Sequence, residues 1–129
     1  IEASRTAGDG APHARGRLVA ETVACVRAMH ASDVLQRVID VDPELLMPYV
    51  VDRIGSTQHI AVALLADGIS RGHADGSIRT GPRDALAYGM LLTVQSFVLS
   101  ARPVTAEVPA EQLYDELAHL LDSSLAAKS

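Results

Sequence analysis

From Ala85 to Ala101 the chain carries no charged side chain, and beyond the Tyr88 hydroxyl its polar groups there are those of Thr93, Gln95, Ser96 and Ser100. The run falls short of the roughly twenty residues that a bilayer span requires, so it predicts a buried helix and no membrane segment. A helix that is apolar on nearly every side has to be covered on nearly every side. A chain of 129 residues has few other helices to do the covering. The pattern therefore asks for a second molecule.

The remaining segments read as helices of the same kind. Apolar residues recur at helical spacing from about Ala14 to His30, with Leu18, Thr22, Val26 and Met29 beside Val19, Val23 and His30. Ser32 or Asp33 is placed to cap a short helix reaching Val38 or Ile39. Asp42-Pro43-Glu44 carries an N-cap residue, a first-turn proline and a first-turn acid, which predicts a further helix start. That helix is expected to be bent at Pro48 and weak at Gly55-Ser56, with an apolar run to Ile69 closed by Gly72. Ala74 to Ser77 and Thr80 to Pro82 supply turns, and Arg83 or Asp84 opens the uncharged helix, which is expected to end near Ala101. Pro103 and Pro109 bracket a loop, and the last helix runs from about Ala110 to Leu125. No segment alternates with period two for long enough to be a strand. The expected fold is all-α, a bundle of five or six helices.

Composition narrows the function. With 48% hydrophobic and 21% charged residues the chain reads as soluble and globular, and with three tyrosines and one phenylalanine its core is aliphatic. The lone Cys25 has no partner for a disulfide or a zinc site, is placed mid-helix as inert packing, and fits a reducing, cytoplasmic setting. A net charge of −5 opposes binding to phosphates, so this chain by itself is not expected to hold DNA. His13, His30, His59, His73 and His119 show no ligand spacing, and Asp52 with His59 reads as a solvated surface pair; no metal or cofactor is expected. No nucleophile sits in a strained turn, and no glycine-rich phosphate loop occurs, so nothing argues for an enzyme.

Two features remain that can carry function. Ala85, Gly89, Thr93, Ser96 and Ser100 form a line of small residues that lets another helix approach, either from the same chain or from a two-fold mate. With Leu113, Leu117, Leu120 and Leu121 on the last helix, this line is the expected homodimer interface, a four-helix bundle. On another line Gln95 lies among Tyr88, Leu91 and Val98. An amide among apolar neighbours is what a small-molecule site offers, and equally what a satisfied core amide looks like. Tyr88, Leu91, Gln95, Met29, Met47 and Val26 are the candidate pocket residues, suited to an apolar or aromatic molecule.

Several segments taken together resemble a known family. Asp42 to Tyr49, Arg53 to Gln58, Leu64 to Gly72 continuing through Gly76-Ser77-Ile78-Arg79, and Val94 to Ser100 are similar, in order and spacing, to the C-terminal region of TetR-family transcriptional repressors. The resemblance covers about Arg15 to Leu125. It implies an all-α ligand-binding and dimerisation domain over residues 14–129, whose last two helices form the dimer bundle. Residues 1–13 would be a loop and, at Ile1 to Ser4, the end of a linking helix. The family's N-terminal helix-turn-helix has no counterpart here, so operator DNA would be met only through that missing part. An effector in the core would shift the linking helix and the spacing of two recognition helices. The competing readings are a helical dimerisation module with no ligand and a small helical enzyme with titratable groups converging on a cavity.

Overall fold

The computed structural model describes residues 13–48 and 54–127. Among the described residues five α-helices follow one another: α1 Ala14–His30, α2 Asp33–Val41, α3 Ser56–Asp75, α4 Arg83–Thr105 and α5 Ala110–Leu125, with a 3₁₀ turn at Pro43–Leu45 between α2 and α3. The described residues form an all-helical bundle, the architecture that the apolar periodicities predict.

Helix α1 is the axis of the bundle, with α2, α3, α4 and α5 all packed against it. Its N-terminus lies beside the C-terminal end of α3, where the Asp75 carboxylate accepts the Ala14 N–H at 2.8 Å. Farther along, Leu18 rests on Gly68, so the two helices run antiparallel. The α5 contacts also run antiparallel to α1, from Arg15–Asp122 at one end to Arg27–Glu111 at the other. The core along these helices contains Leu18, Val26, Ile69, Met90, Leu91, Leu117, Leu121 and Leu125. At about 25 cal/mol per Å² of apolar surface, an aliphatic core of this kind needs no metal or disulfide staple.

Three expectations about helix ends are corrected. Gly72 does not close α3, which continues to Asp75 and ends at Gly76 in the left-handed conformation, φ 78°. Gly72 is instead buried, and a Cβ added there would run into the Ile78 side chain. Its lack of a side chain serves close packing, and Gly76 supplies the stop. Pro103 does not end α4, which runs on to Thr105. A proline so near the C-terminus removes one hydrogen bond from the final turns without breaking the rod. The helix start expected at Asp42-Pro43-Glu44 is a 3₁₀ turn over Pro43–Leu45, and Asp42 makes no side-chain capping bond. Ser32 does cap α2, its hydroxyl accepting the Leu35 N–H. The expected bend at Pro48 adjoins Tyr49 to Arg53, which lie outside the described residues, as do Ile1 to Pro12 and Asp52.

Cys25, expected as packing, is exposed. It lies at the edge of the stripe that buries Thr22 and Val26, one turn beyond Thr22.

Candidate functional site

The inward faces of α1, α3 and α4 share one register. His30 on α1 meets the Phe97 carbonyl on α4, and Gln58 on α3 meets Gln95 on α4. The same inward lines carry Val26 on α1, Val62 on α3 and Leu91 on α4, at 0%, 8% and 6% exposure. One turn toward the α2 end, the corresponding residues Met29, Gln58 and Gln95 are only half-buried. The core is therefore tight at the valine–leucine level and loosens at the methionine–glutamine level.

Gln58 Nε2 donates to the Gln95 Oε1, while Gln58 Oε1 accepts the Gly55 N–H at 2.9 Å in the first turn of α3. An amide pair in an apolar setting satisfies part of its own hydrogen-bonding demand. Helix α2 stands over this end without one buried residue. Val34, Val41, Leu45, Met47 and Ile54 are all exposed nearby in sequence, the first two at 76% and 77%. An ion pair from Arg102 on α4 to Asp40 ties α2 to the bundle.

Of the candidate pocket residues, Gln95, Met29, Leu91 and Val26 lie on inward lines of the bundle. Val26 and Leu91 are close-packed there, whereas Gln95 and Met29 keep surface. Tyr88 is at 37% exposure, beside exposed Ala85 and Leu92 on the outer side of α4, so it is not brought to the others. Met47 follows the 3₁₀ turn at 50% exposure and also stands apart. Gln58 was missed as a site residue, because in the sequence it reads only as a helix-start residue. Two of the surface clefts among the described residues lie along α1, and none of these candidates lines either. One, of about 310 Å³, lies between α1 and α3 at His13, Arg17, Leu18, Leu64, Gly68 and Arg71. The other is a shallow apolar groove between α1 and α5 along Gly16, Val19, Ala20, Val23 and Ala118.

The candidate interface divides in two. On α4, Gly89, Ser96 and Ser100 are exposed and Thr93 is half-buried, its hydroxyl donating to the Gly89 carbonyl at 2.9 Å. A Cβ added at Gly89 would meet nothing within 4 Å. On α5, Leu120 is 46% exposed and Leu113 half-buried. Leu117 and Leu121, however, are at 0% and 2% exposure inside the chain's own core. They point toward α1, so they have no surface to offer a partner. Helix α4 has the length and composition of a membrane span, yet only 28% of its most apolar window is buried.

At the opposite end of the bundle a polar junction locks three elements. Asp75 Oδ1 accepts from the Ser77 N–H and hydroxyl at 2.9 and 2.6 Å, and its other oxygen takes the Ala14 N–H. The Ser77 hydroxyl, the Ala14 amide and the Ser77 amide, in that order, hold the Asp75 carboxyl down at about 2. Arg15 donates from its backbone to the Ser77 hydroxyl, from Nη1 to the Ser77 carbonyl and from Nε to Asp122. Arg79 donates from its amide to the Leu125 carbonyl at 2.8 Å and from Nε to the Ser124 carbonyl at 2.6 Å. Only the turn from Ala74 to Ser77 was legible in the sequence; the partners of Ala14, Arg15 and Arg79 lie far apart along the chain.

A third cluster joins α1, α4 and α5. The Phe97 carbonyl can only accept, so His30 Nε2 donates to it, and in the neutral ring Nδ1 accepts the Tyr114 hydroxyl at 2.6 Å. Arg27 lies 4.3 Å from the Tyr114 ring centroid and grips Glu111 with two bonds. Hydrogen bonding to Arg27 lowers the Glu111 carboxyl, and burial raises the Tyr114 phenol. Every polar partner here is used, so the cluster is structural. Among the described residues no three His, Cys, Asp or Glu side chains gather as a metal site.

No family model matches the chain. No solved structure matches it either. Over 111 residues, 86% of its length, it is 31% identical to a protein of Mycobacterium tuberculosis named as an uncharacterized HTH-type transcriptional regulator. A Mycobacterium bovis protein of the same description matches to the same extent, 31% over 111 residues. The match takes in 58% of each relative's length. These are regulators of transcription by name, and the similarity supports a regulatory role for the chain.

Proposed function

We propose that this chain is the effector-binding and dimerisation part of a TetR-like transcriptional repressor. In the intact regulator, operator DNA is read by a helix-turn-helix contributed by sequence beyond these residues, in the cytoplasm. The observation that carries the reading is the uncovered length of α4. A long apolar helix with 28% of its most apolar window buried needs a cover. A second copy supplies one through Gly89, Leu92, Ser96 and Ser100 on α4, flanked by Leu113 and Leu120 on α5. The relatives named as transcriptional regulators favour this cover over a lipid bilayer. HTH dimers read two half-sites, so a symmetric pair is also what such a protein requires.

In this proposal a small apolar or aromatic molecule enters at the loosened level of Met29 and Gln95, and its preference for one arrangement of the subunits alters DNA binding. Sedimentation equilibrium tests the assembly: the wild type is expected as a dimer and Leu92→Glu as a monomer of unchanged helical content. A wild-type monomer at high concentration overturns it. A second reading, a dimerisation module with no ligand, is favoured by the Gln58–Gln95 bond, which gives Gln95 a partner without any effector. Ligand titration separates the two.

A further inference from the structure

The cleft between α1 and α3, of about 310 Å³, reaches the lower size of small-molecule sites, about 300 Å³. Its floor is apolar. Leu18 rests on Gly68, where an added Cβ would come within 2.7 Å of Leu18 Cδ1, and Leu64 stands at the side, 59% exposed. Three of the polar groups around it are already engaged. His13 Nδ1 accepts the Gly16 N–H, the Asp75 carboxylate accepts the Ala14 N–H, and Arg71 holds Asp67 at 2.8 Å. Arg17 and Glu21 differ: they line the cleft one turn apart on α1, and neither side chain makes a hydrogen bond or ion pair with any described residue. They do not pair with each other either, in keeping with their order along the helix, the basic residue preceding the acid.

The α1 wall therefore offers one free guanidinium and one free carboxylate, with Cβ atoms about 5–6 Å apart, beside an aliphatic surface. An anion alone would face Glu21 with like charge, and a cation alone would face Arg17. A molecule that carries both charges close together satisfies the pair. In an α-amino acid the ammonium and the carboxylate are borne by one carbon, so both fall within one helical turn. We propose that this cleft binds an α-amino acid with an aliphatic side chain, its carboxylate on the Arg17 guanidinium, its ammonium on the Glu21 carboxylate and its side chain against Leu64 and the Leu18 floor. The site is separate from the level of Met29 and Gln95 and does not rest on the dimer reading. Its walls are the start of α1 and the second half of α3, which the Asp75–Ala14 bond already joins, so an occupant adds a second link across that join.

Three probes of matched carbon skeleton test the proposal on the purified chain by isothermal titration: L-leucine, 4-methylpentanoate, which lacks the amine, and 3-methylbutylamine, which lacks the carboxylate. Each ion pair in a cleft open to water contributes modestly, so leucine is expected to bind at least about fivefold more tightly than either analogue. Arg17→Gln and Glu21→Gln are each expected to weaken leucine at least about threefold. In Arg17→Gln the advantage of leucine over 3-methylbutylamine is expected to disappear, and in Glu21→Gln its advantage over 4-methylpentanoate. Neither side chain has a partner in the fold, so circular dichroism is expected to show unchanged helical content in both variants. No binding of leucine, a smaller preference over either analogue, or unchanged leucine binding to either variant overturns the proposal.

Discussion

The two ends of the bundle are built on opposite principles. At one end Asp75, Ser77, Arg15 and Asp122 bind three segments through charge-assisted hydrogen bonds, and Ile78, at 3% exposure, plugs the space over Gly72. At the other, α2 has no fully buried residue, Met29 and Gln95 keep surface, and the links are the Gln58–Gln95 amide pair, the His30 bonds to Tyr114 and the Phe97 carbonyl, and the Arg102–Asp40 ion pair. The contrast teaches that polar locking is concentrated where the start of α1 meets the end of α3 and the loop after it, and that the half-buried side chains gather at the α2 end.

The largest test of that contrast removes an aliphatic side chain from each end. Ile78→Ala is expected to cost about 2–5 kcal/mol in urea unfolding, the usual range for a buried isoleucine, and Leu35→Ala, half-buried on α2, under about 1 kcal/mol. Comparable losses would erase the distinction. Next come the glycines. Gly72→Ala forces a methyl into Ile78 and is expected to destabilise by about 1–3 kcal/mol. Gly89→Ala has open space and better helix propensity, so it is expected to stabilise the isolated subunit by about 1 kcal/mol. If a second copy packs closely on Gly89, the same change weakens the dimer, and sedimentation reads the two effects apart.

Acid sharpens the comparison further. The Asp75 carboxyl is lowered from 3.8 to about 2 in the folded protein. Its contribution is therefore present above about pH 4 and is lost as pH falls toward 2, where folded and unfolded forms are both protonated. Wild type is expected to lose stability through that window, and Asp75→Asn to lose less, as followed by thermal unfolding from pH 5 to 2. An equal decline in both would assign the acid response to other carboxylates. The smallest effect belongs to the surface: Arg71→Ala, breaking an exposed bond to Asp67 one turn away, is expected to change stability by a few tenths of a kcal/mol.

Much of the fold was legible because local signals agreed. The limits of α1 and α5 follow from apolar periodicity between loops, and the Ser32 cap from its hydroxyl. The end of α3 was misread because Gly72 and Gly76 both look like stops, and only the packing of Ile78 on Gly72 decides between them. The run of α4 past Pro103 escaped a rule that holds for helix interiors. Gln95 stood out as an amide on an apolar line, whereas Gln58 hid behind its role at the helix start. Leu113, Leu117, Leu120 and Leu121 looked alike by spacing. Tertiary contact with α1 sorts them, taking Leu117 and Leu121 inward and leaving Leu120 outside.

The central position of α1 has a consequence for biosynthesis. The bonds from Arg15 to Asp122 and from His30 to Tyr114 span 107 and 84 residues. Of the five described helices, the one that the others lean on is translated before the rest, and α5, which completes its cover, after them. Until α5 has been made, the buried stripe of α1 at Leu18, Val19, Thr22 and Val26 lacks its last cover and stays open to non-native contacts.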